Sequence, residues 1–136
     1  MELQPVVFDL LEANMSQFGD RASSIRMALS DRSGELSFHI DRTNHGASPI
    51  STEGDVRVPV QAAGGFLRGM GKVDLIKIDV EGHELPIFQS MADELRRMRP
   101  RAILFEQQSG DGSSGRPIGS ILKAAGYKVY GFQNGC

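Results

Sequence analysis

Only one cysteine stands among the 136 residues, and it is Cys136. A single thiol excludes an intrachain disulfide, and no Cys/His spacing suits zinc, so the expected setting is a reducing, cytoplasmic one with no structural metal. Positive charge is not in excess. Lys and Arg number 15 against 17 Asp and Glu, a net charge of −2, without the basic stripe that grips nucleic acid or an anionic membrane. No apolar run approaches the roughly 20 residues of a membrane span, and the first residues lack the basic-then-apolar plan of a signal peptide. Internal repeats and long low-complexity segments are missing as well.

What remains has the balance of a globular protein, 40% hydrophobic and 24% charged. This length buries one core comfortably but not two, so a single domain over residues 1–136 is expected. Val6, Val7, Leu10, Leu11, Met15 and Phe18 recur at helical spacing behind Pro5, which predicts a helix from Pro5 to Phe18. Ser24 to Leu29, Leu36 to Ile40 and Val56 to Val60 read as short strands, with a polar loop from Asp41 to Asp55. Ala62 to Gly71 carries too many glycines for a strong helix. Ile87, Phe88, Met91, Leu95 and Met98 mark a helix with Pro86 in its first turn. Ala102 to Phe105 is a buried strand, Ile118 to Ala125 a helix stopped by Gly126, and Tyr127 to Phe132 a last strand. Strand, helix, strand, helix, strand at this spacing is the pattern of a parallel α/β sheet.

The stretch Val73-Asp74-Leu75-Ile76-Lys77-Ile78-Asp79-Val80-Glu81-Gly82-His83-Glu84 carries the chemistry. A strand-forming apolar run ends in acids, a glycine and a histidine, and open α/β sheets bind ligands beyond their strand tips. Asp79 and Glu81 together could hold a cation, orient a hydroxyl or take its proton. The plainer reading pairs Lys77 with Asp79. Glu84, at a helix start, is also what capping and the helix dipole alone would select. His83 carries an imidazole, the side chain most used as a general base, although a solvated surface histidine has the same sequence. His45, in the long loop, is open to the same two readings, and His39 fits a strand surface. Gly69-Met70-Gly71-Lys72 imitates a phosphate loop, but Phe66 stands where the first glycine belongs and Val73 where Ser or Thr is needed. Ser109-Gly110-Asp111-Gly112 lacks the alternating acids of a calcium loop.

The Val73–Glu84 run closely resembles the central motif of the FkbM-type methyltransferases. The likeness extends to Glu2-Leu3-Gln4-Pro5 with Leu11-Glu12-Ala13-Asn14, to Ala28-Leu29-Ser30-Asp31 with Gly34, to Asn44–Ser48, and to Arg101–Glu106. The resemblance implies S-adenosylmethionine as cofactor and O-methylation of a hydroxyl on a sugar, lipid or polyketide-like small molecule. It implies that Glu2 binds the ribose hydroxyls, that Ala28, Leu29, Ser30 and Asp31 flank the adenine, and that Asp79 and Glu81 lie at the reaction centre, with Asp79 also beside the cofactor. The fold implied is a partial, doubly wound Rossmann-like sheet with an inserted hairpin from Gly34 to Val60. The family's sheet begins with a strand and a glycine-rich turn, whereas the match here starts at the end of the second strand. An N-terminally truncated domain is therefore expected. A non-catalytic remnant that self-associates or is completed by another chain is the alternative, and a divalent-metal hydrolase is a weaker one.

Overall fold

The computed structural model describes residues 1–2, 4–38, 50–51, 56–80, 82–106 and 115–131. Expectations for Glu81, His39, Ile40, His45, the Asn44–Ser48 loop, Ser109–Gly112 and Phe132 fall outside these residues. The chain forms two compact units, Met1–Gln61 and Ala62–Cys136.

In the first unit, α1 spans Pro5–Ser16 with proline in its first turn, and a short 3-10 turn follows at Gly19–Arg21. The helix stops two residues before the predicted Phe18. None of its residues is buried, and Val6 and Leu10 are exposed. The strands are β1 (Ala28–Ser30), β2 (Gly34–Phe38), β3 (Ile50–Ser51) and β4 (Val56–Ala62), ordered β1-β4-β2-β3 in one sheet. β2 runs antiparallel to β4, with Leu36 opposite Val58, and to β3, with Phe38 opposite Ile50. Val58 and Val60 are buried while Arg57 and Pro59 are exposed, the period-two alternation of a sheet with one covered face. The 34–60 insertion therefore folds as antiparallel strands. Its polar loop is interrupted by β3, too short for its pattern to stand out.

The second unit begins with α2 (Ala63–Gly69), a real helix although three of its seven residues are glycine. Propensity argues against it, and packing overrides propensity. A Cβ at Gly64 would collide with the Ser90 backbone carbonyl, so glycine is what permits the close approach to α3 (Glu84–Met98). The Gly64 amide also donates to Ser90 Oγ at 3.2 Å. Further along, Arg68 Nε donates to Glu94 Oε1 at 2.8 Å and Arg97 Nε to Oε2 at 2.6 Å. The Glu94 side chain is only 7% exposed, and these two cations hold its carboxyl below the usual glutamate range, with Arg97 the stronger influence.

β5 (Leu75–Ile78) and β6 (Ala102–Phe105) pair in parallel, Ile78 opposite Phe105, with α3 as the crossover between them. α4 (Gly115–Ala124) follows. The core comprises Ile78, Ile87, Phe88, Met91 and Leu95 with Ile118 and Leu122. Phe88 meets Phe105 edge-on, with ring centroids 5.2 Å apart. The opposite sheet face exposes Leu75 and Leu104. The predicted last strand is not formed over residues 127–131. A strand needs a ladder partner, and among the described residues none pairs with that segment. Among the described residues no helix is long and apolar enough to cross a membrane.

Candidate functional site

β5 delivers Asp79 to its C-terminal tip. Side chains alternate along a strand, so Leu75, Lys77 and Asp79 share one face and Ile76 and Ile78 the other. Ile78 is buried, whereas Asp79 stays 40% exposed at the side chain. Lys77 Nζ donates to Asp79 Oδ2 at 2.9 Å, the pairing that the plainer reading anticipated. The Lys77 ammonium holds the Asp79 carboxyl below its ordinary 3.8, and Asp79 in turn raises Lys77 above its ordinary 10.5. Asp79 at neutral pH is therefore an ionised hydrogen-bond acceptor and a weak base.

Glu106 is the residue that sequence reasoning noted but left out of the site. Parallel register sets Ile78 against Phe105, so the next residues on the two strands, Asp79 and Glu106, are neighbours. The Glu106 amide donates to the Ile78 carbonyl at 3.3 Å. Its carboxyl interacts with Asp79, and its charge reaches Lys77. The signal was legible, since both strands were predicted to end in an acid; only their pairing was missing.

Beyond Asp79 the chain turns at Gly82, whose φ of +99° favours glycine. His83 takes the N-cap position of α3 and is partly exposed, its amide donating to the Val80 carbonyl at 3.3 Å. Glu84 is buried at 7% exposure. It lies in the first helical turn as expected, yet its Oε1 accepts the Gly82 amide at 3.2 Å and the Val80 amide at 3.4 Å, both upstream of the helix.

The residues assigned to the nucleoside lie in the first unit. Glu2 is half-buried; its Oε1 accepts the Gln4 amide at 2.8 Å and its own amide donates to the Ile25 carbonyl at 3.3 Å, which ties it to the segment entering β1. Ala28 and Ser30 are buried, Leu29 is intermediate and Asp31 is exposed. Ser30 Oγ donates to Asp31 Oδ1 at 3.0 Å. Ser30 also lines, with Arg32, Glu35, Leu36 and Val60, a cavity of about 20 Å³, room for a water and not for a nucleobase. Among the described residues no group of three or more His, Cys, Asp or Glu is gathered to hold a metal ion.

The model of the methyltransferase FkbM domain matches residues 2–129. The hexuronic acid methyltransferase AglP of Haloferax volcanii is 32% identical over 99 residues, which cover 70% of this chain and 41% of AglP. The chain thus spans less than half the length of that relative. No solved structure matches. With a family match running from Glu2 through the acidic tip of β5 and beyond α4, the chain belongs to the FkbM methyltransferase family.

Proposed function

We propose that the chain is the cofactor- and substrate-binding part of an S-adenosylmethionine-dependent O-methyltransferase acting on a hydroxyl of a sugar-type small molecule, and that residues 1–136 work as one Rossmann-like domain. The observation that carries the reading is the Asp79 tip of β5, ionised by Lys77 and flanked by Glu106, within a chain of this family. The similarity to a hexuronic acid methyltransferase supports a sugar acceptor.

The chemistry of the residues present fits the cofactor. A carboxylate such as Glu2 suits the two vicinal hydroxyls of a ribose. Asp31 stands exposed after β1 with a carboxylate for a polar edge of the adenine, while Ala28 and Ser30 lie buried and Leu29 half-buried behind it. Lys77, Asp79 and Glu106 carry one positive and two negative charges, a net excess that favours a cationic group. When bound, S-adenosylmethionine supplies an activated methyl on a sulfonium. The chain's own task is alignment and proton handling. Asp79 accepts a hydrogen bond from the acceptor hydroxyl and orients its lone pair, while Glu81 and His83 stand as the candidate proton acceptors. Calorimetric titration tests the reading. S-adenosylmethionine should bind more tightly than adenosine, and equal affinities would refute cofactor selectivity.

A second reading, a binding or assembly module that pairs with another chain, draws support from β5. Its one edge is bonded to β6 and, among the described residues, no strand pairs with the other. Size-exclusion chromatography separates the readings, since a monomer at all concentrations counts against strand borrowing.

A further inference from the structure

Glu84 is a carboxylate withdrawn from water, and a buried acid requires partners. Those partners are not the first amides of α3, where a helix-opening acid would ordinarily act. The carboxylate points back into the preceding turn, and its Oε1 gathers the amides of Gly82 and Val80, two and four residues upstream. The turn is also closed by the His83 amide on the Val80 carbonyl and is shaped by the positive φ of Gly82. Asp79 is the residue directly before the first of those amides. Its position at the strand tip is thus bounded on one side by the β5–β6 ladder and on the other by a turn built around a single buried oxygen.

We propose that Glu84 is a positioning residue, whose carboxylate holds the Val80 and Gly82 amides and thereby fixes where Asp79 faces a bound ligand. The inference rests on the reading of Asp79 as part of the methyl-transfer site. The bonds, at 3.2 and 3.4 Å, are of ordinary strength, and their effect comes from sharing one acceptor atom. Geometry supplies the order, because two amides converging on one atom tie Val80 and Gly82 to the first turn of α3. No step of the reaction passes through Glu84 itself.

Amide hydrogen exchange at Val80 and Gly82 and calorimetric titration with S-adenosylmethionine test this on the full chain. Glu84→Ala should speed exchange at both amides and weaken binding, each by roughly fivefold, the effect of losing one hydrogen bond of ordinary strength. Glu84→Gln keeps an oxygen in place and should recover most of both. Ile118→Val, a core loss on α4, should lower the melting temperature and move neither. Unchanged exchange in Glu84→Ala overturns the proposal, as does a loss of affinity in Ile118→Val equal to that in Glu84→Ala. A wild type that binds S-adenosylmethionine no better than adenosine defeats the methyl-transfer reading instead. The two exchange rates then decide by themselves whether Glu84 sets the turn.

Discussion

Replacing Gly64 by alanine should destabilise the protein, against the ordinary direction for a glycine inside a helix. Alanine is better than glycine in a helix by about 1 kcal/mol, which favours the substitution. The new Cβ, however, falls on the Ser90 carbonyl oxygen and 3.2 Å from its carbonyl carbon. These are backbone atoms within α3, so relief requires α2 to move away as a body, stretching the Gly64 to Ser90 Oγ bond. Overpacking of this kind costs about 1–3 kcal/mol, and as both colliding partners are main chain the upper part of that range applies. The net loss is about 1–2 kcal/mol, a fall in melting temperature of roughly 4–8 °C for a domain of this size. Gly69 provides the internal control. It ends the same helix with open space around it, so Gly69→Ala should be neutral or slightly stabilising, by at most ~1 kcal/mol. Paired thermal melts read both. A Gly64→Ala protein that melts at or above the wild type would refute the close approach of α2 to α3.

Phe88→Ala should cost about 3–5 kcal/mol, since the ring is 0% exposed and sits edge-on to Phe105; a urea midpoint shift worth less than about 1 kcal/mol would contradict that packing. The Lys77–Asp79 pair gives a pH dependence of known sign. The folded Asp79 lies below 3.8, so its contribution is full above 3.8 and is lost as acid titrates it below that value. The folded Lys77 lies above 10.5, so the same interaction is full below 10.5 and lost at higher pH. Lys77→Met should move the Asp79 carboxyl midpoint upward in an NMR titration, and no movement would dissolve the pair. Gly82→Ala meets no neighbour within 4 Å, so its cost is backbone strain alone, about 1–2 kcal/mol by chemical denaturation.

Much of the second unit was legible in the sequence. β5 and β6 announce themselves as apolar runs ending in acids, and α3 and α4 as three-and-four repeats, because each buries one face against the same core and the pattern records that burial. Local rules failed where the outcome depended on a distant partner. α2 exists because α3 has room for a glycine backbone. Residues 127–131 show the converse: strand-forming residues without a ladder. Asp79 was readable as a strand-tip acid, and its pairing with Lys77 was one of two readings already in view. Glu106 joined it only through the register of two strands that composition cannot set. Glu84 was placed correctly in the first turn, but which amides its carboxylate would choose depends on a fold-back over two to four residues that spacing does not reveal.

The doubly held carboxylate of Glu94 has a mechanical consequence. Its two oxygens answer to cations on different helices, so sliding α2 along α3 by one turn would leave Arg97 as the sole ion-pair partner shown for a carboxylate only 7% exposed. The pairing thus opposes sliding of one helix against the other.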